Sequence, residues 1–381
     1  MTRYDVAVIG AGVFGAWTAW HLARRGQRVL LIEAYGPANS RASSGGETRI
    51  IRMGYGAEEI YTRWSQHSLE QWKAFFSESS QPLFLRTGVL WLAGVDDTRL
   101  RCTQDALQRC GIPFETLDRR TLGERYPQMA LDGVETGVFE PESGVLLARR
   151  AVAAVVAKGA EHGVDYRVAK IEMPRGSGRL EAVQSAAGET FAAREFVFAC
   201  GSWLAKLFPD LLGERIFPTR QEVFFFGVPA GNTRFAPPAL PTWLFQDDQF
   251  YGMPDIEGRG VKIAWDGHGE RVDPDLQPRV VTPEMTEMAR GYVARRFPAL
   301  RDAPVVETRV CQYENTSNGD FLIDRHPQFE NVWLVGGGSG HGFKHGPAVG
   351  EYVAGRLLDG MAAEARFSLA TKAAKQQRAV Y

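Results

Sequence analysis

Cysteine is scarce in this sequence, and its spacing excludes the common structural uses of that residue. The 381 residues include four cysteines, Cys102, Cys110, Cys200 and Cys311, with no C-x-x-C pair and no histidine at metal-ligand spacing. Neither a disulfide framework nor a metal site is therefore predicted. Free thiols fit a reducing compartment, so the expected location is the cytoplasm.

Long apolar runs and blocks of one charge are also missing. No run reaches the roughly 20 residues that a membrane-spanning helix needs. The first strand follows Met1, Thr2 and Arg3 too closely, and glycines interrupt it too soon, for a signal peptide. Lysine and arginine number 44 against 45 aspartates and glutamates, which gives a net charge of −1. Nucleic acid and membrane surfaces are therefore not expected as partners, and we predict a monomer that binds a small molecule.

The strongest local pattern spans residues 4–36, where a strand, a glycine turn, a helix, a second strand and an acid follow one another. An apolar strand ending at Ile9 is followed at once by GAGVFG, a G-x-G-x-x-G motif. Gly10 permits the tight turn, Gly12 lets the backbone approach a pyrophosphate, and Gly15 lets the helix pack closely. This order predicts a dinucleotide site with phosphates at the start of the helix.

The acid that closes the second strand is Glu33. A carboxylate there accepts hydrogen bonds from both ribose hydroxyls of an adenosine and repels a 2′-phosphate, which argues against NADP. The choice between NAD and FAD depends on the far end of the chain, where a strand at 332–335 opens into GGGSGHG and a helix. A second glycine turn suits a long cofactor that is bound at both ends, and FAD is such a molecule.

The rest of the chain alternates between helical and strand-rich segments, and its length favours two domains over one core. Apolar and aromatic spacing predicts a helix over 57–78, whose stripe is more simply core than a ligand cage, and an alanine-rich helix over 148–162. Alternation predicts a strand at 87–94, a pair of strands within 133–146, and a β-rich region from about residue 215.

The fold prediction is therefore α/β with mixed β structure. A Rossmann-type FAD-binding domain is interleaved with a substrate domain that is built on a large mixed or antiparallel sheet. The FAD-binding domain is assigned to residues 1–56, 145–215 and 308–381. The substrate domain is assigned to residues 57–144 and 216–307.

Several single residues allow two interpretations from the sequence alone. Arg49 and Arg52 share a face if their segment is helical and then bind phosphates or a carboxylate; otherwise they are a solvated pair. Lys262 lies inside an apolar strand and either extends to the surface or faces a cavity. Val168 either offers backbone groups to an adenine or is a plain strand residue. Cys200 is most simply a small buried hydrophobe.

Further motifs extend over nearly the whole chain, and together they resemble one family. They are GAGVFG with Glu33, ETRIIR at 47–52, FYG at 250–252, VKI around Lys262, VDPD at 272–275, C-x-Y at 311–313, FLID followed by HP, and SGHGFK ending at Lys344. On these motifs the chain resembles the monomeric sarcosine oxidase family, which includes N-methyltryptophan oxidase. The resemblance implies an FAD-dependent amine oxidase.

The resemblance also implies a role for individual residues. Cys311 matches the cysteine that attaches FAD covalently through a thioether to the flavin 8α-methyl group. Arg52 and Lys344 match the pair that binds the substrate carboxylate, and Arg49 matches an arginine beneath the flavin. Lys262 matches the lysine that holds a water near flavin N5 and promotes reaction with oxygen, which favours its cavity-facing interpretation.

Other matches concern the pocket and the cofactor loops. Tyr251 matches a pocket tyrosine, while Asp266 stands where the family has a histidine, with His268 as a near neighbour. Gly45 also stands where a histidine is typical. The predicted cofactor-binding residues are Gly10, Gly12, Val13, Phe14, Gly15, Glu33, Arg41, Ser43, Ser44, Thr48, Val168, Gly201, Trp203, Cys311, Gly338, Gly340, Gly342, Phe343 and Lys344.

The implied reaction is oxidation of a secondary amino acid, N-methyl, N-alkyl or cyclic, to an imine by hydride transfer to the flavin. Oxygen is then reduced to hydrogen peroxide. One alternative is a dehydrogenase of the same fold that passes electrons to a quinone or a carrier protein. Another is a flavoprotein subunit without turnover, in which a carboxylate-binding pair such as Arg52 and Lys344 has no purpose.

Overall fold

The structure is a computed structural model that describes residues 4–95 and 97–377. Within these ranges no helix is long and apolar enough to cross a membrane. The helices of the described residues are α1 (Val13–Arg24), α2 (Glu59–Glu78), α3 (Thr98–Arg109), α4 (Arg119–Arg125), α5 (Ala148–Glu161), α6 (Leu204–Leu207), α7 (Pro209–Leu212), α8 (Pro283–Arg296) and α9 (Gly346–Leu358). The helices predicted at 57–78 and 148–162 are thus confirmed as α2 and α5.

The strands of the described residues form three sheets. They are β1 (Tyr4–Ile9), β2 (Val29–Glu33), β3 (Arg49–Ile51), β4 (Phe84–Leu85), β5 (Val89–Ala93), β6 (Glu115–Asp118), β7 (Thr136–Glu140), β8 (Gly144–Leu146), β9 (Asp165–Val168), β10 (Ala182–Gln184), β11 (Thr190–Phe198), β12 (Ile216–Phe226), β13 (Thr242–Phe245), β14 (Phe250–Met253), β15 (Val261–Trp265), β16 (Val305–Thr316), β17 (Leu322–Arg325) and β18 (Val332–Gly336).

The first sheet has the Rossmann-type arrangement that the N-terminal pattern predicts. Its order is β17-β18-β11-β1-β2-β9, with β10 paired to β11. The strands from β18 to β9 are parallel, while β17 and β10 are antiparallel additions. Alternate residues of β1 enter different cores, Val6 and Val8 on one face and Ala7 and Ile9 on the other. Both faces of the parallel strands are therefore covered, which explains their continuous apolar sequence.

The second sheet confirms the large mixed sheet that the alternating segments predict. Its order is β16-β12-β15-β14-β13-β5-β7-β6, and only the β13-β5 pair among these is parallel. The longest ladder joins β12 to β16, from the pair Ile216 and Thr316 to the pair Phe226 and Val305. The predicted domain boundary at residue 308 therefore falls inside a strand of this sheet.

The third sheet, β3-β8-β4, corrects two expectations. Arg49 begins a strand and Arg52 directly follows it, so the two arginines do not share a helical face. Two strands lie within 133–146 as predicted, but their pairing with each other is wrong, because β7 pairs with β5 and β6 whereas β8 pairs with β3 and β4. At the end of β7, the buried carboxylate of Glu140 accepts hydrogen bonds from Met53 N at 2.7 Å and Trp91 Nε1 at 2.7 Å.

Helices α1 and α9 pack closely because a glycine lies at their contact. Gly350 of α9 faces the backbone of α1, and a Cβ there would lie 2.5 Å from the carbonyl carbon of Trp17 and 2.8 Å from Thr18 N. The Trp17 ring in turn meets the Trp72 ring edge-on, with centroids 4.9 Å apart. This packing fixes the helix that follows the first glycine turn against the helix that follows the second.

The Gly350 contact predicts the effect of a single methyl group on stability. Gly350→Ala is expected to destabilise the protein by about 1–3 kcal/mol, because the added Cβ meets backbone that has no room to move. The matched control is Gly291→Ala in α8, where an added Cβ meets no atom within 4 Å. That change is expected to stabilise by roughly 0.5–1 kcal/mol through helix propensity. Thermal unfolding of both variants measures the difference, and equal effects would contradict the packing argument.

Candidate cofactor and substrate site

The larger of two cavities lies along the carboxyl ends of the parallel strands, where open α/β sheets bind their ligands. Its volume is about 570 Å³, and it extends from Glu33 at the end of β2 to Cys311 on β16 and Phe343 after β18. The two glycine loops therefore line one continuous space. Its dimensions suit a long ligand that both loops contact.

The first glycine turn is held in place by side chains from outside it. Glu33 Oε2 accepts a hydrogen bond from Ala11 N at 2.8 Å, and Ser44 Oγ accepts one from Val13 N at 3.0 Å. A Cβ on Gly10 would lie 2.3 Å from Ala199 O, and Gly10 has a φ of +103°, so only glycine fits there. Burial raises the pKa of the Glu33 carboxyl. Hydrogen bonds and close backbone contacts therefore fix the conformation of this turn.

Three buried polar atoms test whether FAD fits the larger cavity. Ser43 Oγ, Ser202 Oγ and Glu314 Oε2 belong to residues that line it, and none has a hydrogen-bond partner among the described residues. Glu314 is 8% exposed, its other oxygen accepts from Gly338 N at 3.3 Å, and burial raises its pKa to about 7. Such atoms are costly unless a ligand satisfies them. FAD carries the hydroxyl and phosphate groups that do so, and the residues present fit it.

At the far end of this cavity, Arg49 of the third sheet bonds to Cys311 of the second sheet. Its guanidinium donates to Ser43 O at 2.7 Å, to Thr48 O at 2.8 Å and to Cys311 Sγ at 3.3 Å. Cys311 is a free, half-buried thiol that lines the cavity. A fixed positive charge and a sulfur nucleophile thus lie side by side where the larger cavity meets the smaller one.

Lys262 does not extend to the surface, so the surface alternative for this residue is wrong. The side chain is 3% exposed, and Nζ donates to Thr48 O at 2.9 Å and to Thr48 Oγ1 at 3.2 Å. Burial, and then the neighbouring Arg49 charge, lower the pKa of Lys262 well below its usual range. Its side chain lies behind the Thr48 segment and lines neither cavity, so the cavity-facing alternative is not confirmed either.

The smaller cavity has a volume of about 60 Å³ and shares Arg49, Tyr313, Gly340 and Phe343 with the larger one. The two spaces therefore adjoin at these four residues. The smaller cavity is also lined by the charged or phenolic side chains of Arg52, Tyr251, Asp266 and Lys344. Burial raises the pKa of Tyr251 to about 12, so this phenol stays neutral.

Two buried cations of the smaller cavity are held by neutral groups. The Arg52 guanidinium lies 4.5 Å from the Tyr55 ring centroid and 4.6 Å from that of Trp91, and it donates to Gly54 O. Lys344 Nζ donates to Tyr55 OH at 2.7 Å and to His341 O at 3.0 Å. Burial and the nearby Arg52 charge lower the pKa of Lys344 well below its usual range. An anionic ligand that reaches both groups would relieve this cost.

Most of the predicted site residues line one of the two cavities. Those along the larger cavity are Gly10, Gly12, Val13, Phe14, Glu33, Ser43, Ser44, Arg49, Gly201, Trp203, Cys311, Gly338, Gly340, Gly342 and Phe343. Arg49, Arg52, Tyr251, Asp266, Gly340, Phe343 and Lys344 line the smaller one, together with His268. The structure therefore gathers residues from both ends of the chain around one site.

Five predicted residues line neither cavity. Gly15 packs on the Gly10 carbonyl, and Thr48 holds Arg49 and Lys262 through its oxygens. The Arg41 guanidinium lies 4.8 Å from the Tyr35 ring centroid. Val168 is 61% exposed at the end of β9, and its successors Ala169 and Lys170 line the larger cavity instead. The plain-strand interpretation of Val168 is the one that agrees with this position.

Sequence reasoning missed Glu314, Tyr55 and the role of Tyr313. Glu314 carries no signal in the sequence, because the three residues that follow it are the polar Asn315, Thr316 and Ser317, and their burial is visible only in the structure. Tyr313 belongs to the C-x-Y motif, but the motif alone does not reveal that its hydroxyl faces Asp266 Oδ1 at 3.4 Å. Tyr55 carries no signal, because its partners Lys344 and His345 are almost 290 residues away.

Comparisons with known proteins agree with this geometry. A family model described as FAD dependent oxidoreductase (DAO) matches residues 5–356. Monomeric sarcosine oxidase from Bacillus sp. (strain B-0618) is 29% identical, over 94% of this chain and 93% of its own. N-methyl-L-tryptophan oxidase from Salmonella heidelberg (strain SL476) is 28% identical, over 92% of this chain and 94% of its own. These full-length matches confirm the resemblance inferred from the motifs.

A solved structure supports the same fold. L-proline dehydrogenase from P. horikoshii has a TM-score of 0.82 to this chain at 22% sequence identity, and the match covers 96% of this chain and 97% of the other. The Rossmann-type sheet and the large mixed sheet are therefore a known combination.

Proposed function

The chain belongs to the family of FAD dependent oxidoreductases, and on that premise we propose that it oxidises the CH–NH bond of a small secondary amino acid to an imine. The substrate class is N-methyl, N-alkyl or cyclic amino acids. One observation carries the proposal: two buried cations, Arg52 and Lys344, line a small cavity that adjoins the cofactor cavity. The relatives named sarcosine oxidase and N-methyl-L-tryptophan oxidase are consistent with this class.

The chain's own residues bind and orient the substrate. The Arg52 fork is immobilised between two rings, so it binds a carboxylate at little cost in side-chain entropy. Lys344 adds a second charge from the other glycine loop. Anchoring the carboxylate at these two points holds the amine-bearing carbon toward Arg49 and Phe343, where the two cavities meet, and such positioning accounts for much of the rate enhancement expected.

When bound, FAD supplies the hydride acceptor and passes the electrons to oxygen to give hydrogen peroxide. Arg49 provides a fixed positive charge beside the flavin end of the cavity, and Cys311 is the proposed point of covalent attachment. Lys262 lines neither cavity, and its proposed role is to favour the developing superoxide anion with a positive charge from behind the Thr48 segment. The dehydrogenase alternative keeps the substrate and the clamp but not this use of Lys262.

Anaerobic bleaching of the flavin absorbance tests the function directly. A panel of N-methyl, cyclic and D-amino acids is mixed with the protein under nitrogen, and air is then admitted. We expect bleaching by a small secondary amino acid, followed by rapid return of colour with one peroxide per turnover. Slow return in air would favour the dehydrogenase, and no bleaching by any compound would contradict the function.

A lysine pair serves as the variant and control for that experiment. Lys344→Met is expected to raise the concentration for half-maximal bleaching by about 10- to 100-fold, because one charge of the carboxylate clamp is lost. Lys372→Met removes another buried lysine, 2% exposed and outside both cavities, and is expected to leave that concentration unchanged.

The proposed role of Lys262 predicts separate effects on the two half-reactions. Lys262→Met is expected to slow reoxidation of the reduced flavin by oxygen at least about 100-fold, while flavin reduction changes little. The reason is that the variant lacks the positive charge that favours the superoxide anion. Stopped-flow absorbance measures both steps in one preparation, so reduction is the internal control. Equal slowing of the two steps would contradict the role.

Covalent attachment through Cys311 is tested by acid precipitation. The wild-type pellet is expected to stay yellow, whereas Cys311→Ala is expected to release FAD into the supernatant. Cys200→Ala is the matched control, because that thiol also lines the larger cavity and donates to Ile9 O at 3.2 Å. Release from both variants, or from wild type, would contradict attachment at Cys311.

A further inference from the structure

The smaller cavity contains charges of both signs that are kept apart. Arg52, Lys344 and Asp266 all line it, yet none of the three makes an ion pair within 4.0 Å among the described residues. Among the residues that the structure describes, the Asp266 carboxylate accepts one hydrogen bond, a long one from Tyr313 OH at 3.4 Å. Buried side chains of opposite charge in one cavity usually form a direct salt bridge.

Local anchors explain the separation. Neutral partners hold each cation, as described above, and Asp266 is fixed directly after β15 by its own backbone N, which donates to Gln249 O at 2.7 Å. Burial raises the pKa of Asp266 to about 6, while the charges of Arg52, Arg99 and Lys344 oppose this rise. A buried carboxylate of this kind is stabilised when a ligand brings a cation next to it.

The size of the cavity limits where that cation lies on the ligand. A volume of about 60 Å³ holds only a few water-sized positions, so a long basic side chain finds no room. The cation must therefore lie within a few ångströms of the clamped carboxylate of the same ligand. In a small amino acid, the α-ammonium group has this position. The cavity thus has one anionic and two cationic groups for a ligand with one cationic and one anionic group.

We propose that Asp266 is a specificity residue that pairs with the ammonium group of the substrate, so that the pocket selects small zwitterionic amino acids over carboxylates of the same shape that lack a cationic group. This inference rests on the proposed function, because it takes the Arg52 and Lys344 clamp as the carboxylate site. Asp266 supplies the negative charge that binds the cationic end of the same ligand.

Two ligands of equal shape isolate the charge that Asp266 recognises. Dimethylsulfonioacetate carries a fixed positive charge on sulfur. In 3-methylbutanoate an uncharged carbon replaces that sulfur, and the carboxylate is the same. Neither has an amine to oxidise, so both report binding through perturbation of the flavin absorbance. Wild-type holoenzyme is expected to bind the sulfonium compound at least about tenfold more tightly.

Variants at Asp266 test the origin of that preference. Asp266→Asn is expected to bind the two compounds within about twofold of each other, and Asp266→Glu is expected to retain the preference. Asp247→Asn, a carboxylate outside both cavities that accepts from Gly94 N at 3.2 Å, is the control and keeps the preference. An unchanged preference in Asp266→Asn, or none in wild type, would overturn the inference.

The wild-type protein provides a second test that needs no variant. Below about pH 6 the Asp266 carboxyl becomes protonated, so the preference is expected to fall toward unity by pH 5 and to be full at pH 8. The groups facing Asp266 are Arg52, Arg99, Lys344, Tyr251, Tyr313 and His268. Titration of Lys344 changes the affinity of both carboxylates alike and cancels in the ratio. A preference that is constant from pH 5 to 8 would overturn the inference.

The outcomes also separate this inference from the proposed function. If 3-methylbutanoate binds and Lys344→Met weakens it, but the sulfonium charge adds nothing, the clamp stands and the role of Asp266 is wrong. If neither compound binds wild type, the clamp itself is wrong, and the function and the inference both fail.

Discussion

The ladder between β12 and β16 is the constraint on which the site depends. It pairs Cys311 with Gln221 and Tyr313 with Thr219. Through it, one strand of the large sheet supplies residues to the edge of the Rossmann-type sheet. Because side chains alternate along a strand, a slip of one residue would turn Cys311 and Tyr313 to the opposite face. The length of the ladder makes such a slip costly, and the site inherits its precision from backbone hydrogen bonds.

Around this strand the protein keeps charged groups buried without opposite charges. Arg52 and Lys344 are held by rings, a phenol and carbonyls, and Lys262 is held by Thr48. Each arrangement costs stability, because neutral partners replace only part of the lost hydration. The depressed pKa values of both lysines express that cost. Sites that must bind a charged ligand commonly carry such local instability.

The cofactor cavity and the proposed substrate cavity meet at Arg49, Tyr313, Gly340 and Phe343. These four residues come from a strand of the small sheet, from β16 and from the second glycine loop. A ligand in the smaller cavity therefore lies beside the end of the larger one. That adjacency gives the carboxylate clamp its purpose, since positioning a substrate is useful only beside the group that oxidises it.

The sequence by itself determined the parts of this protein that depend on local order. The strand, turn and helix around Gly10 follow from steric rules that act within a few residues, and the alternating segments specified the large sheet. Family motifs then identified Arg52, Lys344 and Cys311 as candidates, which the structure brings to two adjoining cavities. These features were predictable because each is encoded in a short stretch.

Only the tertiary structure decided which groups are paired. The strands β7 and β8 pair with strands of two different sheets, and the position of Val168 depends on where β9 ends at the sheet edge. Among the described residues, the unpartnered oxygen of Glu314 and the lack of an ion pair at Asp266 are likewise properties of what surrounds them. Pairing and burial arise from residues far apart in the chain, and no local pattern records them.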